Sequence, residues 1–179
     1  TSFGFREPSK VLILVLCVFL TMIGIAAPAS AKSSVSVTSF ELGTMPTKVV
    51  FSPDGNFAYV TDPAKDLVLV VDTKTNTTVN RIKAGEFPWG IAISHNGNRI
   101  YVTNSLDNTV TIVSTNDYRT LAVIEVGANP VGIAVSGDGR ALYVANSDSN
   151  SVSVIDTKEQ EIIRTIKVGE NPEGIAVSP

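Results

Sequence analysis

Residues 85–126 read GEFPWGIAISHNGNRIYVTNSLDNTVTIVSTNDYRTLAVIEV, and this stretch decides the fold. Ile91-Ala92-Ile93-Ser94 is a short apolar run followed by the turn residues His95-Asn96-Gly97. Arg99-Ile100-Tyr101-Val102-Thr103 forms a second run, closed by Asn104. Thr109 to Val113 alternates polar and apolar, and after Ser114-Thr115-Asn116-Asp117 a fourth run extends from Thr120 to Val126. Runs of this length, rich in β-branched residues and bounded by Gly, Asn, Asp or Pro, are strands joined by tight turns.

Outward from this segment the pattern recurs. Gly43, Gly85, Gly127 and Gly169 stand 42 residues apart, and Pro46, Pro88, Pro130 and Pro172 keep the same step. So do Tyr59, Tyr101 and Tyr143, and Gly55, Gly97 and Gly139. Asp72 and Asp156 bracket Ser114 at the same interval, each followed by Thr. A period in this range, with four strands per copy, specifies the blades of a β-propeller. The fold class is therefore all-β, with full copies at 43–84, 85–126 and 127–168 and a partial one at 169–179. Three copies are fewer than the about 4–8 blades that a closed ring needs. The sequence thus predicts an incomplete propeller of about three blades, a fragment of a longer protein. Val35 to Leu42 matches only the last strand of a copy, and 32–42 is expected to be a closing strand. Twelve strands in three sheets, with one flanking strand at each end, complete the expected arrangement.

Within a copy, the small residues have geometric reasons. Gly90, Gly132 and Gly174 precede the first strand, and Ala92, Ala134 and Ala176 sit in its middle, where neighbouring backbones crowd around the axis. Asp54-Gly55, Asn96-Gly97 and Asp138-Gly139 are expected to supply left-handed turn conformations.

Tyr101-Val102-Thr103-Asn104, Gly-Ile-Ala-Val-Ser at 132–136 and Val152-Ser153-Val154-Ile155-Asp156-Thr157 resemble the YVTN-type β-propeller repeat family. The likeness covers residues 35–179, and it implies a secreted or surface-layer-associated protein, with seven blades in the full ring. The first copy departs from the pattern, with Lys48 in the Gly slot, Val50 in the Ala slot and Asp62-Pro63 for Asn-Ser. Terminal repeats often differ because they face a different neighbour. Related propellers host lactone hydrolysis, lyase chemistry and haem- or quinone-linked redox domains, so the resemblance also implies an alternative. In that alternative the chain is the N-terminal part of a propeller enzyme whose site residues lie in further blades.

Ahead of the repeats, Arg6 and Lys10 precede the apolar run Val11 to Leu20, and Ala29-Ser30-Ala31 follows Pro28. A positive segment, a short apolar segment and an A-x-A site constitute a secretory signal peptide, assigned here to 1–31. An uncleaved anchor is the weaker reading, because Thr21 and Gly24 interrupt the run. Cys17, the one cysteine, is preceded by Leu14-Val15-Leu16, which lacks the small residue that a lipoprotein signal carries next to its cysteine. The expected location is the periplasm, the cell surface or the medium.

The whole chain carries 14 Lys plus Arg against 17 Asp plus Glu, a net charge of −3. That balance excludes a basic nucleic-acid binder, and the 44% hydrophobic content excludes a disordered tail. The expected partner is a protein, a cell-wall component or a small molecule. Membrane contact would come only through the signal segment if that were retained. Each blade face is apolar, and exposing ~600 Å² of it forfeits roughly 15 kcal/mol at about 25 cal/mol/Å², so the fragment is expected to self-associate or aggregate through open faces.

No motif names a reaction. His95, the one histidine, occupies a turn slot held by Pro53 and Gly137 elsewhere, and reads as a solvated turn residue. Asn146, Asp148 and Asn150 could offer oxygens to calcium, but no loop of alternating acids with a closing Glu is present. Asp72 and Asp156 read as turn residues serving local amides, and Asn76-Thr77-Thr78 is a formal glycosylation sequon. Trp89 breaks the repeat at a slot held by Thr47, Val131 and Glu173; Trp is a common binding anchor, but packing against an adjacent loop is the stronger reading. The expectation is therefore no catalytic residue, no metal and no cofactor, with Trp89 and His95 as the candidate binding-surface positions.

Overall fold

The computed structural model describes residues 43–178. The signal peptide expected at 1–31 and the strand expected within 32–42 lie outside them. Strands β1 (Val49–Phe51), β2 (Phe57–Asp62), β3 (Leu67–Asp72) and β4 (Thr77–Lys83) form the first sheet. The second contains β5 (Pro88–Ile93), β6 (Arg99–Asn104), β7 (Thr109–Ser114) and β8 (Thr120–Glu125). The third contains β9 (Pro130–Val135), β10 (Ala141–Asn146), β11 (Ser151–Asp156) and β12 (Glu161–Lys167). Each sheet is an antiparallel meander in sequence order, and the only helical element among the described residues is a 3₁₀ turn at Pro63–Lys65. Three four-stranded blades of an incomplete propeller are the result.

Period-2 alternation sends each strand's side chains to opposite faces of its blade, and that alternation makes the core. Ile91, Ile100, Val102 and Val113 of the second blade meet Tyr59, Val68, Val70 and Ile82 of the first. The alternate residues Ala92, Tyr101, Val110 and Ile112 meet Leu142, Val144 and Ile155 of the third. The middle blade is thus buried on both faces. The repeated tyrosine is a packing residue: Tyr101 is 1% exposed, and burial pushes the Tyr59 phenol up to about 12.

Hydroxyl and amide side chains fasten one blade to the next. Thr61 Oγ1 donates to the carbonyl of Trp89 at 3.0 Å, and Thr103 Oγ1 to that of Val131 at 3.1 Å. Thr103 Oγ1 also accepts the Gly90 N–H at 2.7 Å. Asn104 Oδ1 accepts the N–H of Gly85 while its Nδ2 donates to Thr109 and Thr111, which ties the incoming chain to its own blade. In the first blade Asp62 does this work, accepting the N–H groups of Thr44 and Met45. The Thr and Asn of the repeated motif are therefore structural fasteners, each hydrogen bond contributing about 1 kcal/mol net.

Glycine is required where blades approach most closely. A Cβ on Gly90 would run into the carbonyl oxygen of Val131, and one on Gly132 into that of Glu173. Both glycines lie inside β5 and β9 rather than ahead of them, because the first strand starts at the proline and carries a bulge before pairing resumes. In the first hairpin of each blade only the glycine is left-handed, with φ of +71°, +75° and +72° at Gly55, Gly97 and Gly139. The preceding Asp or Asn acts differently from the sequence expectation. Asp54, Asn96 and Asp138 accept a seryl hydroxyl and the amide two residues on.

The flanking strand expected within the partial copy 169–179 is not formed: residues 172–178 pair with no strand. Their sequence has the first-strand pattern, but a strand needs a ladder partner. The segment still lies where an inner strand would, with Glu173 and Ile175 against Gly132.

Candidate functional site

Antiparallel meanders divide the turns into two sets at opposite ends of the blades. One end gathers the β1–β2 and β3–β4 turns and their equivalents, and its carboxylate chemistry is repeated, although Tyr118, left-handed at φ +58°, stands there in the slot of Asn76 and Gln160. Asp72 Oδ1 accepts the amides of Lys74 and Thr75, and Asp156 Oδ1 those of Lys158 and Glu159. These bonds hold both carboxyls below the ordinary carboxylate range. Asp54 is lowered to about 2 by hydrogen bonds from Ser52 and Asn56. Such acidity belongs to turns and not to a reactive group. His95 lies at this end, exposed, in the β5–β6 turn.

The other end gathers the second hairpin of each blade and the crossings between blades, and here the repeat is broken. Left-handed residues recur at Asp66, Asn108 and Asn150, and again at Phe87, Asn129 and Asn171. In each set the hairpin side chain accepts the crossing residue's amide: Asp66 Oδ1 from Phe87, Asn108 Oδ1 from Asn129, and Asn150 Oδ1 from Asn171. Asn tolerates that conformation and Phe does not. Phe87 is held at φ +56° at a cost of roughly 1–3 kcal/mol. Its amide is bound by Asp66 and its carbonyl by the Ser105 N–H.

That backbone aims the Phe87 ring at Trp89. The two rings stack with centroids 5.8 Å apart and planes 14° from parallel, a geometry that contributes about 0.5–1.5 kcal/mol beyond area burial. Leu106, on the neighbouring hairpin, is 66% exposed where the other blades carry Ala64 and Asp148. Strain at a bulky residue, an aromatic stack and an exposed leucine therefore coincide at one rim.

Two hollows flank Trp89. The outer one, about 590 Å³, lies between the second and third blades and is lined by Phe87, Trp89, Leu106, Asn108, Asn129 and Asp148. The second, about 520 Å³, lies along the inner strands, with Lys48, Trp89, Asn129, Ser147 and Glu173 on its wall. Lys48 and Glu173 are the charged residues that line it, and neither recurs at the 42-residue step.

Of the two sequence candidates, Trp89 is at this rim and His95 is beyond the far end of the same strand; the structure does not bring them together. Of Asn146, Asp148 and Asn150, Asn150 Oδ1 takes the Asn171 amide and Asp148 Oδ1 takes Asn129 Nδ2, while Asn146 Nδ2 holds Ser151 and Ser153 and its Oδ1 is buried without a hydrogen-bond partner among the described residues. Among the described residues no group of three or more His, Cys, Asp or Glu could hold a metal ion. Phe87 and Leu106 were missed by sequence reasoning. The available signal was that each breaks the 42-residue step, Phe87 at a slot held by Met45, Asn129 and Asn171.

Residues 90–179 match the family model of the YNCE-like beta-propeller, and residues 27–120 that of the lactonase, 7-bladed beta-propeller. The chain belongs to these β-propeller families. Among solved structures, hydrazine synthase from Kuenenia stuttgartiensis is similar at a TM-score of 0.73 and 28% identity, over 79% of this chain and 43% of that one. A functionally unknown protein from Desulfotomaculum acetoxidans follows at 0.70 and 25%, over 78% and 47%. A candidate 6-phosphogluconolactonase from Bacteroides fragilis, at 0.67 and 21% over 72% and 40%, shares the fold. This propeller chain spans less than half the length of each of them. No curated protein matches it.

Proposed function

We propose that this chain is part of an exported, non-catalytic propeller of the YVTN-repeat type that binds a partner at the cell surface or in the periplasm. The observation that carries this reading is the Phe87–Trp89–Leu106 rim. It is an apolar, non-repeated surface on a scaffold most of whose fixed polar groups are turn and interface fasteners repeated at 42 residues. Trp89 is half-buried against Phe87, and Trp is a common anchor of binding surfaces. The signal-like segment at 1–31 supports export, and the partner is a cell-wall component, a protein or a small molecule rather than a nucleic acid. Protease shaving of intact cells expressing the tagged chain tests the location, and envelope retention of wild type against Trp89→Ala tests the rim. Protection in the cytoplasm removes the first element of the reading; equal retention of the two proteins removes the second.

A second reading has its own observation. Lys48 and Glu173 bring opposite charges to the hollow along the inner strands, and the lactonase family model covers residues 27–120. In that reading the hollow is part of a hydrolytic site in the complete ring. Lactone hydrolysis abolished by Glu173→Gln and by Lys48→Gly would favour it over the binding module.

A further inference from the structure

We propose that the outer hollow beside Phe87 and Trp89 is a subsite for the flat face of a neutral pyranose, one unit of a glycan. The proposal rests on the rim being a binding surface and adds the ligand's chemical class. A pyranose offers apolar C–H faces and a girdle of hydroxyls that both donate and accept. Phe87 and Trp89, stacked on each other at 5.8 Å and 14°, form one aromatic unit on the wall of the hollow. Leu106 faces it from the adjoining hairpin. Pockets of this kind take orientation from a few polar groups at the edge of an apolar floor.

Those polar groups are present and partly uncommitted. Asn108 Oδ1 is held by the Asn129 amide, and Asn129 Nδ2 donates to Asp148 Oδ1 at 3.0 Å. The network fixes all three side chains yet leaves Asn108 Nδ2 as a donor, and Asn129 Oδ1 and Asp148 Oδ2 as acceptors, without protein partners among the described residues. One donor beside two acceptors suits vicinal hydroxyls. Among the described residues the only charged one on the wall is Asp148, and no Lys or Arg lines the hollow, so a sugar phosphate or uronate would meet repulsion. A flat hydrocarbon ring would leave the three polar groups unpaired. The two aromatic rings lie nearly parallel rather than as walls of a box, which disfavours an ammonium cage.

The test uses the chain's one tryptophan as reporter. Trp89 fluorescence of the full chain is titrated with cellohexaose and chitohexaose as neutral probes, oligogalacturonate as the anionic probe, and 2-naphthol as a flat aromatic. A saturable change with a neutral hexaose, weakened at least tenfold by Phe87→Asn and by Asp148→Ala, is expected. Phe87→Asn installs the residue that the two following crossings carry at 129 and 171, so unchanged circular dichroism is expected alongside the lost affinity. Equal binding by Phe87→Asn, tighter binding of oligogalacturonate, or response to 2-naphthol alone overturns the assignment. Silence with both hexaoses at millimolar concentration also overturns it. Envelope retention that still depends on Trp89 would then show that the sugar class failed while the binding rim stands.

Discussion

Replacing Thr103 by Val should reveal how much of the blade boundary depends on one hydroxyl. The side chain is fully buried, and Val matches its shape, so no cavity is created. What is lost is the acceptor for the Gly90 N–H at 2.7 Å and the donor to the Val131 carbonyl at 3.1 Å. An orphaned buried N–H costs about 1–3 kcal/mol, and the lost donated bond adds about 0.5–1.5. The expected destabilisation is therefore roughly 2–4 kcal/mol, a large share of the about 5–15 kcal/mol available to a domain. With a urea slope of about 1–3 kcal/mol/M, the unfolding midpoint should fall by about 1–2 M. Amide exchange at Gly90 should accelerate even where the global transition is broad. A loss below about 0.5 kcal/mol, or a Gly90 amide exchanging as slowly as in the wild type, would refute the fastener role.

Four further outcomes are expected. Gly90→Ala drives a methyl into the Val131 carbonyl and should destabilise by more than about 2 kcal/mol in the same urea assay. Phe87→Asn trades the aromatic stack for relief of the left-handed strain, so its stability should stay within about 1 kcal/mol of wild type by thermal unfolding. Asp54 has a folded-state pKa of about 2, below its ordinary value; its contribution to stability is thus complete above about pH 4 and disappears as pH falls through 2. Asp54→Asn, which copies the turn at Asn96, should flatten the acid limb of the stability curve, and carbon-detected titration of Asp54 should show the low midpoint. Ile163 and Val168 are exposed on and beside the outermost strand. The polypeptide should therefore associate in sedimentation runs, and Ile163→Lys should shift it toward monomer.

The blades were legible because period-2 alternation and turn residues act locally. Tyr101, Val102 and the Gly97 turn could be placed without knowing any neighbour. Gly90 was legible as a close-approach residue, although its place inside the strand was not, because the bulge after Pro88 depends on pairing with Asn104. The terminal segment 175–178 carries strand propensity, but a ladder is a property of two segments and no second one is paired there. At the site, Trp89 was visible as a break in the repeat. The role of Phe87 was hidden because a left-handed slot can be recognised only from the backbone, and Phe is a residue that propensity would never put there. The meeting of Lys48 and Glu173 at one hollow follows from curvature accumulated across three blades, which no local pattern encodes.

The fasteners between blades always run the same way: Thr61 reaches forward to Trp89, Thr103 forward to Val131, and Ser105 forward to Pro130. Each blade thus has a giving edge and a receiving edge, and every boundary joins unlike edges. A gene segment encoding one 42-residue copy could be duplicated or excised in frame, and the new neighbours would find the complementary edge already in place. Changes in ring size would then require no invention of contacts, only a change in the angle each junction must absorb. An architecture of this kind can accordingly change its blade number by recombination, with each copy keeping its own loop sequences.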